Sequence, residues 1–223
     1  MGVPFPAGVL VRTGAERATL VRRTYALVFV GVLATIASAT FSLSQPALLQ
    51  AVAAHPWISL ACFFAPLLGA MTVQKVFPAN VGFVLLFTVV AGVYISPILY
   101  VYGRAQPGLI TQAATLTIGA FGTLTAYAFV SRRDFSAWGS FFMVGLWVLI
   151  GTSLLNLFFR NPAMDLWLAG ITVLIFSGLL VFDTWRIRNV YGPDEYVAAA
   201  VQIYLDLLNL FLGILRVLGG RRS

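Results

Sequence analysis

The chain has 223 residues, of which 60% are hydrophobic and 9% are charged, and its formal net charge is +7. A soluble domain carries about 25% charged residues, so the composition excludes a water-soluble protein and indicates a lipid environment. The basic excess does not indicate a nucleic-acid partner, because the arginines stand at the ends of apolar runs and form no single basic face. We therefore predict an all-α integral membrane protein in contact with the lipid bilayer.

Seven apolar runs are long enough to cross a bilayer, which takes about 20 helical residues. They predict a bundle of seven transmembrane helices at residues 25–43, 57–77, 81–102, 109–130, 140–159, 166–185 and 197–218. No small-residue cleavage pattern follows the first run, so we expect an uncleaved helix rather than a signal peptide. The predicted organisation is a mobile cytoplasmic tail at residues 1–23, one seven-helix domain at residues 24–219 and a C-terminal tail at residues 220–223.

The basic residues predict the orientation of these spans. Most of them stand at span ends that share a side with the N-terminus, so the positive-inside rule places the N-terminus in the cytoplasm. That group comprises Arg12, Arg17, Arg22, Arg23, Lys75, Arg132, Arg133, Arg186 and Arg188, against His55, Arg104 and Arg160 on the other side. Seven crossings place the C-terminus outside. Arg216, Arg221 and Arg222 would then also lie outside, where the positive-inside rule disfavours basic residues. Six spans plus a re-entrant C-terminal helix are therefore the alternative.

Two aspartates lie inside predicted spans, Asp183 near the end of the sixth and Asp206 within the seventh. A carboxylate in the hydrocarbon core costs on the order of 3 kcal/mol, so it usually faces the bundle interior and marks an ion or proton path. The two spans are consecutive and antiparallel. Their aspartates approach the same level if the sixth helix continues through Arg188.

Two neighbouring carboxyl groups in such a place would share a proton and titrate as a unit. Loss of that proton would favour separation of the helices or entry of a hard divalent cation such as calcium. We therefore predict proton-linked calcium passage through Asp183 and Asp206, with calcium as a transient ligand and no resident cofactor.

Other polar residues have a less certain role in this path. Arg186 either supports the site or forms an ordinary surface pair with Asp183, three residues earlier on the same helix. Asn209, three residues after Asp206, and Asn156 are candidates for supporting the ion path, although hydrogen bonding between packed helices is the simpler interpretation.

Three segments near the C-terminus have a distinctive pattern: FDTWRI at residues 182–187, DEYVAAA at 194–200 and YLDLLNLFL at 204–212. They resemble the C-terminal signature of the Bax inhibitor-1 family, and LFT at 86–88, SPIL at 96–99 and the stretch 126–139 are similar to its third to fifth helices. The resemblance covers about residues 22–218 and indicates a bacterial-type member, which we expect in the inner membrane.

The resemblance implies a seven-helix fold with the last helix central. It also implies a buried aspartate pair, matched here by Asp183 and Asp206, that senses pH and gates a calcium leak. In some members an arginine and a glutamate on the second helix interact with the aspartates. The second span of this chain offers only Thr72, Gln74 and Lys75 at that end, so it does not match this latch.

An enzyme is not predicted, because the chain has one histidine, His55, in a loop, and one cysteine, Cys62, and shows neither a nucleophile with a base nor a metal site with several ligands. An aspartyl intramembrane protease would also place two carboxylates on neighbouring helices, but its glycine-flanked aspartate motif is absent. A retinal protein is excluded because Lys75, the only lysine, ends the second span. The main alternative to a leak is a non-transporting regulator that binds another membrane protein, such as a membrane protease, through the tail and loops.

Overall fold

A computed structural model describes residues 14–73, 76–159 and 161–220 of the chain. The described residues form helices and no strand. The helices are α1 (Gly14–Leu43), α2 (Pro46–Ala54), α3 (Pro56–Thr72), α4 (Ala79–Ala105), α5 (Leu109–Val130), α6 (Trp138–Phe159), α7 (Pro162–Asn189) and α8 (Tyr196–Gly220). Several residues used for the predicted topology lie outside the described part: residues 1–13 of the tail with Arg12, then Gln74, Lys75, Arg160, Arg221 and Arg222.

Within this part of the chain, six helices are long and apolar enough to cross a membrane, namely α1, α4, α5, α6, α7 and α8. The pair α2 and α3 is bent by 97° and forms a seventh span if it is counted as one broken helix. The prediction of an all-α membrane protein with six to seven spans is therefore confirmed. The last helix, α8, is continuous over 25 residues. In its apolar stretch of 18 residues, 56% of the residues are buried, the largest share among the six helices.

The second predicted span, residues 57–77, differs from the structure. Helix α3 ends at Thr72, and the preceding segment, predicted as a loop, forms the short helix α2. Both helices begin with a proline, which fits the first helical position because it has no N–H group to satisfy. His55 between them has φ −122° and ψ 64°, since a residue before proline is pushed out of the helical region. This proline pair explains the sharp break.

Two other helices, α1 and α7, extend furthest beyond their predicted bounds. Helix α1 begins at Gly14, eleven residues before the predicted start at Tyr25, so Arg17, Arg22 and Arg23 lie on its first turns. Helix α7 continues to Asn189, four residues beyond the predicted end at Trp185. The latter extension is the condition under which Asp183 and Asp206 were expected to reach the same level.

The chain divides into two compact units. The first contains the described residues of 1–104 together with 187–204. Here α1 and α4 approach closely at Gly92, where a Cβ atom would overlap the Thr35 carbonyl and the Ser38 hydroxyl. The close approach places the Thr35 hydroxyl 2.9 Å from the Thr88 carbonyl on α4. A side chain larger than that of glycine would push these two helices apart.

The second unit contains residues 105–186 and the described residues of 205–223. It begins at the turn before α5, where Gly108 has a φ of +84° that an L side chain would strain. Helices α6 and α7 approach closely at Gly139, which faces the ring of Phe182, and at Gly178, which faces the ring of Phe142. Ala128, Phe135 and Val181 form a buried apolar cluster in this unit.

Candidate functional site

The two intramembrane aspartates lie together in the second unit. Asp183 projects from the last two turns of α7 and is 7% exposed, and Asp206 projects from the middle of α8 and is 4% exposed. Their carboxyl groups are within hydrogen-bonding reach of each other. The structure thus brings together the aspartate pair that the sequence selected.

Two carboxyl groups can form a hydrogen bond with each other only in certain protonation states. An ionised carboxylate only accepts hydrogen bonds, so two carboxyl groups bond to each other only when one of them carries a proton. The remaining oxygen of Asp206, Oδ2, is buried and has no hydrogen-bond partner among the described residues. A hydrogen bond between the two carboxyl groups therefore requires a shared proton, and it leaves one buried acceptor whose missing partner costs about 1–3 kcal/mol.

Arg186 supplies the nearest positive charge. Its Nη1 atom donates to Oδ1 of Asp183 at 2.9 Å, and its guanidinium group acts electrostatically on both carboxyl groups. The guanidinium group also lies 5.6 Å from the centre of the Phe182 ring. Arg186 follows Asp183 by three residues and Phe182 by four, so the three side chains lie on one face of α7. The Phe182 ring therefore helps to hold the guanidinium group beside the Asp183 carboxylate. The Arg186 side chain is 28% exposed, so it also reaches the edge of the site.

The register of α7 and α8 explains why the aspartates meet. The two helices run antiparallel, and Gly220 near the end of α8 faces Leu166 near the start of α7. Two turns earlier on α8, Gly213 faces Ala169, Thr172 and Val173. The same register carried two further turns back along α8 places Asp206 at the level of Leu180, about one turn from Asp183. Gly213 allows the close approach, since a Cβ atom there would lie 3.0 Å from the Val173 side chain.

The two asparagines named from the sequence lie elsewhere in the hydrogen-bond network. The amide of Asn209 donates to the Leu205 carbonyl, one turn back on its own helix, at 2.8 Å. The amide of Asn156 donates to the Asp165 carboxylate and accepts from the Asn161 backbone N–H, which stabilises the turn between α6 and α7. Asp165 precedes Asp183 by eighteen residues on one helix, about 27 Å of rise. Both asparagines therefore have structural partners in this conformation.

A second buried polar cluster lies in the first unit, and sequence reasoning missed most of it. The Tyr204 hydroxyl and the Thr35 hydroxyl are 2.6 Å apart, and Thr35 also lies 2.9 Å from the carbonyl oxygens of Gly31 and Thr88. Thr35 has one proton to donate to a carbonyl, so Tyr204 is the donor in their contact. Sequence gives no signal for this role, because a threonine inside a helix ordinarily bonds only to its own preceding turn.

The chain matches one protein-family model, described as "Inhibitor of apoptosis-promoting Bax1", over residues 17–223. It is 33% identical over 207 residues to "Bax inhibitor 1" of Schizosaccharomyces pombe, which covers 91% of this chain and 77% of that protein. It is 32% identical over 207 residues to "Protein lifeguard 4" of Mus musculus, with 91% and 85% covered. It is also 31% identical over 205 residues to "Golgi anti-apoptotic protein" of Vaccinia virus (strain Lister), with 91% and 85% covered.

The family model spans nearly the whole chain, including both aspartates, and the relatives are covered over more than two thirds of their lengths. The match agrees with the helical membrane architecture and with the resemblance seen in the C-terminal segments. The chain therefore belongs to the Bax inhibitor-1 family of integral membrane proteins.

Proposed function

We propose that the protein is a pH-sensitive calcium leak of its membrane, gated by Asp183 and Asp206. The observation that carries the proposal is the buried contact between their carboxyl groups, together with the unpartnered Oδ2 atom of Asp206. A paired carboxylate site inside a membrane protein usually belongs to an ion or proton path, because burial of such groups is too costly for packing alone.

The shared proton acts as the gate in this proposal. While the proton is present, the hydrogen bond between the carboxyl groups joins α7 to α8. When the proton leaves, two negative charges face each other in a medium of low dielectric constant, and they repel. Either the helices separate or a divalent cation enters and neutralises both charges. We therefore expect calcium passage to increase as the pH rises through the titration of the pair.

The composition of the site favours passage over storage. Calcium in a tight site takes six to eight oxygen ligands, whereas no group of three or more His, Cys, Asp or Glu side chains suited to a metal occurs among the described residues. Two carboxylates beside the cationic Arg186 bind calcium weakly. Weak binding is what a leak requires, because the ion must also leave the site.

The test is calcium flux into liposomes that contain the purified protein, measured from about pH 5 to pH 8. Asp183→Asn and Asp206→Asn keep the shape of the side chain but cannot ionise, and each should abolish the dependence of flux on pH. Asp134→Asn is the matched control, because Asp134 lies in the exposed loop between α5 and α6. Flux no greater than in empty liposomes at every pH would refute the leak.

Arg186 provides an independent test of the same site. Its positive charge favours the ionised form of both carboxyl groups, so Arg186→Gln should shift the rise in flux to higher pH and lower the flux at a fixed neutral pH. Arg188→Gln is the control, since it removes the same charge from the same helix two residues further on. Equal effects of the two substitutions would mean that general surface charge, rather than this contact, controls the flux.

A second candidate function is regulation through binding of another membrane protein, such as a membrane protease. The family is named for inhibition of apoptosis-promoting Bax1 and the viral relative is a Golgi anti-apoptotic protein, so both names indicate a regulatory role for those proteins. Reconstituted protein that gives no flux but retains a partner from the same membrane would favour this function. Removal of residues 1–13, which precede α1, should then weaken partner binding, whereas a leak would survive it.

A further inference from the structure

An open groove of about 970 Å³ lies in the first unit. Its walls come from the early turns of α1, the start of α4 and the loop before α8. The volume is at the upper end of the range of ligand sites, about 300–1,000 Å³. The groove is thus large enough for the head group and the upper part of the acyl chains of a lipid.

The groove is polar at one end and apolar along the rest of its length. Arg23 stands at the polar end, and Leu27 and Val30 follow about 6 Å and 10 Å further along α1. On α4, Val81 and Leu85 continue the apolar wall in the same way. The predicted membrane span begins at Tyr25, so the polar end lies at the level of lipid head groups and the apolar walls lie beside their chains.

The polar end contains charges of both signs. The Arg23 guanidinium lies 5.7 Å from the centre of the Tyr196 ring. A cation–π contact with a ring uses the charge of the guanidinium group, and its N–H groups can still donate to a phosphate. Opposite charge comes from Asp194 and Glu195 in the loop, both exposed. Glu195 accepts a hydrogen bond from the Gly192 N–H and so fixes the turn, which makes Asp194 the carboxylate available to a ligand.

We propose that this groove binds phosphatidylethanolamine, with the lipid phosphate on Arg23 and the primary ammonium on Asp194. An anionic phospholipid such as phosphatidylglycerol would satisfy the arginine but would face the carboxylates without a compensating charge. Phosphatidylcholine has a cation, but its methyl groups leave no N–H to donate to Asp194. A head group with one phosphate and one primary ammonium matches both charges.

The experiment compares three phospholipids with identical acyl chains, namely phosphatidylethanolamine, phosphatidylcholine and phosphatidylglycerol. Each is added to the full-length protein in detergent, and the lipid retained is measured by native mass spectrometry. We expect phosphatidylethanolamine to be retained about tenfold more strongly than the other two, the effect of one charge-assisted hydrogen bond. Equal retention of all three lipids would overturn the proposal.

Three substitutions assign the contacts. Arg23→Gln should weaken retention of all three lipids about tenfold, and Asp194→Asn should remove only the preference for phosphatidylethanolamine. Ala26→Trp keeps both charges but fills the groove, so it should prevent binding. Arg22→Gln is the matched control, because Arg22 is the exposed neighbour of Arg23 and does not line the groove.

All variants are compared at equal helicity by circular dichroism, so that a loss of binding is not a loss of folding. A reduction by Arg22→Gln as large as that by Arg23→Gln would overturn the proposal, since it would indicate attraction to general positive charge. Unchanged retention in Ala26→Trp would also overturn it, because the lipid would then lie outside the groove.

Discussion

Although Asp183 and Asp206 form one pair, replacement of each by asparagine should affect stability differently. Arg186 donates to Asp183 at 2.9 Å, while Asp206 relies on Asp183 and has a free Oδ2 atom. An asparagine at position 206 can donate its amide hydrogen to the Asp183 carboxylate and so replace the shared proton. An asparagine at position 183 presents an uncharged acceptor to Arg186 and loses the ion pair.

The magnitudes follow from the charges that each substitution removes. Two unit charges about 4 Å apart interact by about 4 kcal/mol at an effective dielectric constant of 20, and the attraction of Arg186 for Asp206 offsets part of that repulsion. Asp206→Asn should therefore raise the free energy of unfolding by roughly 2 kcal/mol at high pH and leave it unchanged at low pH. Asp183→Asn loses a charge-assisted hydrogen bond of about 1.5–3 kcal/mol at either pH. The Asp206→Asn variant should thus be the more stable by about 2 kcal/mol or more throughout.

The assay is thermal unfolding of both variants and the parent in detergent, followed by circular dichroism at about pH 5 and pH 8. At pH 8 the parent should unfold at a lower temperature than Asp206→Asn, and the two should agree at pH 5. Equal midpoints for the two asparagine variants at both pH values would refute the reasoning, because they would mean that Arg186 does not distinguish the carboxyl groups.

Two further predictions concern the first unit. Gly92→Ala should destabilise the protein by roughly 1–3 kcal/mol in a thermal unfolding experiment, because its Cβ atom overlaps backbone atoms of α1. Gly82→Ala on the same helix has open space around the new atom and should be nearly neutral; equal effects would indicate that helix propensity, not packing, is measured. Tyr204→Phe and Thr35→Val should show a coupling energy of about 0.6 kcal/mol in a double-mutant cycle, and no more than about 1.7 kcal/mol, the range for hydrogen bonds between membrane helices. Additive effects would mean that their 2.6 Å contact adds no stability.

The sequence was most informative where membrane physics leaves few alternatives. A run of about 20 apolar residues has to be helical in lipid, because no water satisfies the backbone groups there. A carboxylate inside such a run is so costly that it needs a partner. These two constraints selected the helical fold and, as the candidate site, Asp183 and Asp206, which the structure places in contact.

Features that depend on local backbone geometry or on packing were harder to predict from the sequence. The break at His55 depends on two prolines ten residues apart that each start a helix, whereas hydropathy averages over both helices. The early start of α1 at Gly14 lies in a segment too polar for a membrane span. The bond between Thr35 and Tyr204 joins residues 169 positions apart in the chain, and neither residue type predicts such a partner.

The position of Arg186 bears on how the pair can open. A latch on another helix would release its aspartate when the two helices move apart, but α3 contains no charged residue from Pro56 to Thr72. Arg186 lies three residues after Asp183 on the same helix, so it moves with Asp183 and its ion pair survives any separation of α7 from α8. The contact between the two carboxyl groups breaks in such a movement. In the proposed mechanism the shared proton, rather than the arginine, therefore links these helices at the site, and its loss is the step that releases them.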